Sequence, residues 1–261
     1  MSPLEIVAVL LAGVGAGTIN AVVGSGTIIT FSTLVAFGVP PVVANISNSL
    51  GVVPGSVTGA FGYRRELAGQ RGRIRRLLVP AVLGGITGAA LLILLPAGAF
   101  ETIVPALILL GVVLVIVGPR LSKAVAARAE RRGVERKGDA AWVWPAVFGG
   151  AIYGGYFGAA QGVIVMALLG IGVAEPLQRL NGIKNVIVAA ANLVAGVVFV
   201  LVSWVGWSDA EVDWLIVLLI GVGAFAGGLI GASVGRRLPP NVLRGFIVVV
   251  GLSAVALMVL T

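Results

Sequence analysis

Apolar residues in this chain neither alternate nor keep to one helical stripe. They run on for helical lengths and are interrupted by glycine, proline and clusters of arginine. Such runs predict helices solvated by hydrocarbon, since barrel strands would alternate polar and apolar positions. In the first half they fall at 4–22, 26–38, 42–62, 77–95 and 100–118, and in the second at 142–158, 162–173, 178–204, 214–234 and 241–260. The segments 26–38 and 162–173 are too short to cross a core of about 30 Å.

The halves echo each other. Gly84-Gly85-Ile86-Thr87-Gly88-Ala89 followed by Leu95-Pro96 returns as Gly227-Gly228-Leu229-Ile230-Gly231-Ala232 followed by Leu238-Pro239. Gly26 and Asn45 have the spacing of Gly162 and Asn181. The chain therefore divides into a first repeat, 1–118, a basic linker, 119–141, with helix 100–118 ending at Gly118-Pro119, and a second repeat, 142–261. The glycine pairs Gly84–Gly88 and Gly227–Gly231 suit close helix packing.

Charge sets the expected orientation. Arginines 64, 65, 71, 73, 75 and 76 lie between the third and fourth segments, a second basic cluster fills the linker, and Arg236, Arg237 and Arg244 lie near the C-terminus. The 204–214 loop carries only Asp209, Glu211 and Asp213, and the 95–100 loop is followed by Glu101. The positive-inside rule puts the basic loops in the cytoplasm and both termini outside. The halves are then inverted relative to each other, the plan of many transporters. The short second segment of each half favours a re-entrant hairpin opening each half, with six full spans; ten short spans is the alternative. Trp142, Trp144, Trp204, Trp207 and Trp214 sit near segment ends as interface anchors.

Composition removes the alternatives. Of 261 residues, 59% are hydrophobic and 11% charged, and the mean hydropathy is +1.11. That surface needs a lipid bilayer, so the fold expected is an all-α membrane protein. The basic residues behind the net charge of +8 lie mostly in loops, with Arg179 and Lys184 at the start of the 178–204 segment, so the charge does not point to nucleic acid. Cysteine and histidine are absent, and no carboxylate lies deep in a segment. No catalytic pair can be assembled, and neither an enzyme nor a cofactor is expected. Glu175, beside Pro176, is the acid nearest a pathway.

The candidate chemistry lies at the two junctions. The first contains Asn20, Gly24, Ser25 and Gly26; the second contains Gln161 and Gly162. A helix broken inside a membrane frees backbone groups that only protein, water or solute can satisfy. Helix N-termini at these breaks would offer amide hydrogens to an anion. Close backbone packing is the structural alternative. The next segments carry Asn45, Asn48 and Ser49, matched by Asn181, Lys184 and Asn185. Residues at i, i+3 and i+4 share a face. The two faces suit an oxyanion, or else capping and interhelical hydrogen bonds. Lys184 would meet a substrate's charge or snorkel to the helix end.

These residues resemble the TauE/SafE sulfite-exporter permease family. The resemblance rests on Gly24-Ser25-Gly26, Gly38-Val39-Pro40-Pro41, Ala44-Asn45 and Phe61-Gly62-Tyr63-Arg64-Arg65. In the second half it rests on the Gly154–Gly162 run and the Asn181–Lys184 segment. Ser25, Thr27 and Gln161 interrupt glycine runs that are often longer in the family. The resemblance implies a prokaryotic inner-membrane permease exporting sulfite, sulfoacetate or related organosulfonates. An anion channel, an importer of another sulfur or carboxylate anion, and a membrane scaffold are the rivals; a homodimer is compatible with the sequence. An inside-negative potential drives anions outward by about 2.3 kcal/mol per charge per 100 mV, so an exporter needs no coupling ion.

Overall fold

A computed structural model describes residues 1–132, 139–206, 211–233, 248, 249 and 252. Most of the segment expected at 241–260, the basic loop before it and Trp207 lie outside the described residues. The described chain is helical: α1 (Pro3–Val22), α2 (Thr27–Ala36), α3 (Pro41–Gly51), α4 (Val53–Gly62), α5 (Arg71–Leu94), α6 (Ala97–Arg132), α7 (Val143–Tyr156), α8 (Gln161–Gly172), α9 (Leu177–Val205) and α10 (Trp214–Ser233). Five helical stretches among the described residues are long and apolar enough to cross a membrane: Pro3–Val22, Arg71–Leu94, Gly98–Val117, Leu177–Val205 and Trp214–Ser233. This is a multi-pass membrane protein. Leu4, Leu11, Leu201, Leu218 and Phe225 point outward, where hydrocarbon solvates them.

Local chemistry sets the helix ends. Ser2 and Glu5 form a reciprocal capping box at the start of α1, with Pro3 in the first turn. After α2 the chain turns through Gly38 at φ 78°, and Pro41 opens α3. Gly206, at φ 67°, closes α9.

The helices depart from the expected segments in three places. Gly118-Pro119 does not end α6, which continues to Arg132. The proline removes one backbone donor, but the Arg-, Lys-, Ala- and Glu-rich stretch after it favours helix strongly enough to carry on. The segment expected as one helix over 42–62 is two, α3 and α4, meeting at Val52. Pro54 explains that break, because it cannot donate back to Leu50. Finally, α1 has 20 residues and α7 has 14, so the first hairpin contains one helix of spanning length and one short helix, α2.

The packing comes in matched pairs. α1 lies along α10 and α5 along α7, while α4 packs on α10 and α9 on α5. Exchanging each helix for its counterpart in the other half turns each pairing into its mate. The repeated glycines sit in these contacts. A β-carbon at Gly88 would run into the backbone of Ile152 and Tyr156 on α7, and one at Gly227 into the carbonyl of Val14 on α1. Close packing is thus the role the glycine pairs play.

Gly227→Ala should lower stability by about 1–3 kcal/mol, because backbone faces backbone and cannot yield. Gly15→Ala, on the partner helix but with nothing within 4 Å of the new β-carbon, should be neutral or slightly stabilising. Thermal unfolding in detergent checks the contrast. Equal responses would show that α1 and α10 are not in tight contact.

Candidate functional site

Both predicted breaks are present, and they touch. α1 stops at Val22 and the chain passes through Gly24 at φ 92° before α2. α7 stops at Tyr156 and passes through Gly158 at φ 78° and Ala160 at φ 58° before α8. The Gly162 amide donates to the Gly24 carbonyl at 3.0 Å. A β-carbon on either glycine would collide with the other's backbone. Close approach, besides the positive φ at Gly24, is why glycine is needed here.

A broken helix leaves its last carbonyls without partners. In α1, Ile19 accepts from both Val23 and Gly24, at 2.7 and 3.0 Å. The next three carbonyls are met from α9: Lys184 Nζ donates to Asn20 at 2.9 Å, Asn185 Nδ2 to Ala21 at 3.2 Å, and Asn181 Nδ2 to Val22 at 3.2 Å. Three side chains at i, i+3 and i+4 thus meet three successive carbonyls of the final turn. The second break answers in kind. Tyr153 accepts from Phe157 and Gly158, and Asn45 Nδ2 on α3 donates to the Tyr156 carbonyl at 2.9 Å. Each half caps the broken helix of the other.

The start of α2 is also held by protein, since the Gly26 amide donates to Asn20 Oδ1 at 2.7 Å. The amides of Gly26 and Gly162, expected as free donors, both have protein partners in this conformation. Lys184 does not snorkel to the helix end; it is 1% exposed, with Nζ on the Asn20 carbonyl. Asn48, its counterpart, accepts from Thr30 Oγ1 at 2.6 Å. Ser25, Ser49 and Gln161 are buried in the same region. Polar groups change places between the halves. Asn20 stands third from the end of α1 with small Ser25 after the break. In the other half Gly154 holds the third position, and the Gln161 side chain fills the space a β-carbon there would need.

Not every polar atom is paired. Among the described residues, Ser25 Oγ, Asn45 Oδ1, Asn48 Nδ2, Asn181 Oδ1 and both amide atoms of Gln161 are buried without a hydrogen-bond partner, as are Ser32 Oγ and the Tyr156 hydroxyl. Each such atom costs about 1–3 kcal/mol unless something meets it. The surplus is concentrated on residues expected from the sequence to bind solute.

Two features flank this region. Phe157, at the second break, packs edge-on against Phe31 at 5.1 Å between ring centroids, and Phe100 packs on Tyr156 at 5.6 Å. Elsewhere a charged clasp joins four parts of the chain. Arg73 donates to Asp139 at 2.9 and 3.0 Å, to Glu175 at 2.6 Å and to Gln70. Arg179 donates to the other Glu175 oxygen at 2.6 Å and to the Glu66 carbonyl at 3.0 Å. Burial acts to raise the Glu175 pKa, but hydrogen bonds from Arg179, Arg73 and Gln70 outweigh it and hold the carboxyl below its usual range. Glu175 is therefore tied to arginines rather than exposed in a pathway. The sequence offered little warning of the clasp, because Arg73 read as one charge of a basic loop and Gln70 and Asp139 belong to no motif. Tyr63, which accepts from Asn181 Nδ2 at 3.2 Å, and Thr30 were missed as well.

Asn45→Ala would leave the Tyr156 carbonyl without its donor, and we expect a loss of about 1–3 kcal/mol. Asn181→Ala should cost a similar amount at Val22. Gly149→Ala, whose β-carbon meets nothing within 4 Å, is the control. Detergent melting curves in which either asparagine variant matches wild type would show that these bonds are not needed to end the helices.

The comparisons with known proteins agree with this architecture. The model of the family described as "Sulfite exporter TauE/SafE" matches residues 9–258. A curated relative from Haemophilus influenzae, named "Probable membrane transporter protein", is 24% identical over 246 residues, covering 90% of this chain and 86% of the relative. No solved structure matches. With the family match spanning nearly the whole chain, this protein belongs to the TauE/SafE sulfite exporter family of membrane transporters.

Proposed function

We propose that this protein is a secondary transporter that exports small sulfur-containing oxyanions, such as sulfite, sulfoacetate or a related organosulfonate, across the prokaryotic inner membrane. The carrying observation is the concentration of unpaired, buried polar atoms where two broken helices meet. Oxyanions accept several hydrogen bonds at once, which suits a cluster of amide and ammonium donors. Membership of the sulfite exporter family supports the sulfur chemistry.

In this reading the anion lies against Asn48, Gln161, Asn181, Lys184 and Asn185, near the breaks at Gly24–Gly26 and Gly162. It borrows donors that otherwise cap α1, while Asn45 holds the end of α7. The repeats are inverted across the bilayer, with basic loops on the cytoplasmic side and both termini outside.

Alternating access is supported by a difference between equivalent places. The turn from α8 to α9 is fastened to the start of α5 by the clasp of Glu175, Gln70 and Arg73. Its counterpart, the turn from α2 to α3 beside the start of α10, borders a cavity of about 550 Å³ lined by Phe37, Val39, Pro40, Glu211, Asp213 and Trp214. Among the described residues, the hydrogen bond linking α3 to that side is from the Asp213 amide to Ser47 Oγ at 2.9 Å. One mouth is fastened and the other open, as in a carrier facing outward. Export requires the clasp to part, and the basic residues around it would gather anions there.

Reconstituted vesicles test transport directly. Labelled sulfite or sulfoacetate should show saturable counterflow, reduced about tenfold in Asn181→Ala, the loss expected from about 1.4 kcal/mol of binding. Unsaturated current without counterflow would instead mean a channel. The chain has no cysteine, so one introduced at buried Leu180 can report on the inner mouth. Glu175→Gln should raise its labelling by an impermeant maleimide from the cytoplasmic side several-fold. Unchanged labelling would remove the clasp as a gate.

A further inference from the structure

At one pair of equivalent positions deep in the protein, one half carries an amide and the other an amine. Asn48 on α3 follows Asn45 by the step with which Lys184 on α9 follows Asn181. Asn45 and Asn181 perform the same task at opposite breaks. Asn48 and Lys184 are each 1% exposed. One carries an amide whose Nδ2 has no partner among the described residues; the other carries an amine, which can take a positive charge.

Lys184 is the one charged residue that is buried among the described residues. Its bond to the Asn20 carbonyl uses one of three ammonium hydrogens and supplies no negative charge. Among the described residues the ion pairs join Arg73, Asp139, Glu175 and Arg179 to one another, and none includes Lys184. An ammonium removed from water without a countercharge costs several kcal/mol. An anion entering the site would remove that cost. A second negative charge on the same anion would meet neutral donors among the described buried residues, and would carry the same penalty with the opposite sign.

We propose that the transported anion is Lys184's countercharge, one for one, so that among the candidate solutes the site selects monovalent oxyanions such as hydrogensulfite and simple alkanesulfonates and rejects dianions, sulfate and sulfoacetate alike. This rests on the reading that solute binds between the broken helices. It adds the charge of the solute. The neutral counterpart, Asn48, sets the limit, because a second cation there would balance a second negative charge.

Counterflow in vesicles with methanesulfonate and with sulfate tests this. The two share tetrahedral sulfur and sulfur-bound oxygens, and neither changes charge near neutral pH. Wild type should prefer methanesulfonate by about tenfold or more. Asn48→Lys should raise the ratio of sulfate to methanesulfonate flux by a similar factor. Lys184→Asn, which makes the two halves alike, should abolish methanesulfonate counterflow. Equal wild-type flux of both anions would overturn the proposal, as would a folded Asn48→Lys protein with an unchanged ratio. Should that variant elute as aggregate in size exclusion, the wild-type ratio decides alone. Absence of counterflow with sulfite, sulfoacetate and methanesulfonate alike would instead sink the transport reading itself.

Discussion

A helix that stops inside a bilayer exposes carbonyls that no water is at hand to satisfy. α1 and α7 both stop among buried residues, where water is likewise excluded, and the other features of the centre follow from how their ends are met. The donors are side chains, and they come from the opposite half. α9 supplies Asn181, Lys184 and Asn185 to α1, and α3 supplies Asn45 to α7. Neither half can end its own broken helix, so the centre exists only when both are assembled. The contact of Gly162 with Gly24 fastens the two breaks to each other at the same place.

The reciprocity is incomplete, and the shortfall is informative. The end of α1 receives three side-chain donors; the Asn45 bond to Tyr156 is the matching one at α7. Unpaired atoms collect around that second break and its capping helix, on Gln161, Asn48, Asn45 and Tyr156. A structure selected only for stability would fill these places with apolar groups, since an unmet polar atom is worse than none. Keeping them argues that something other than the resting protein uses them.

Much of this was legible in the chain because membranes make sequence unusually explicit. Glycine at a break, a proline before a helix and an arginine cluster between apolar runs each have few roles in lipid, so the breaks at Gly24 and Gly158–Gln161 and the close contacts of α5 and α10 could be read directly. The shared face of Asn181, Lys184 and Asn185 was legible as a face, but its target was not. Periodicity says which residues point together and never what stands opposite. For the same reason Gly24 meeting Gly162, and Arg73 reaching Glu175, were out of reach: both join residues remote in the chain. The helical run past Pro119 escaped because a proline inside a helix weakens it without always ending it.

The clasp and the core treat charge in opposite ways, and the contrast bears on function. In the clasp, arginine and carboxylate meet in pairs at a partly exposed place, so opening it trades ion pairs for water at modest cost. In the core a lone ammonium sits with a carbonyl and no carboxylate partner among the described residues. A carboxylate beside Lys184 would stabilise the empty protein, but it would compete with any anionic solute for the same donor. Under the proposed function, separating the two kinds of site would let the clasp part readily while the centre keeps a donor free of any fixed carboxylate among the described residues. In that proposal the unmatched amine is what would draw an anion in, and an inside-negative potential would then carry it outward.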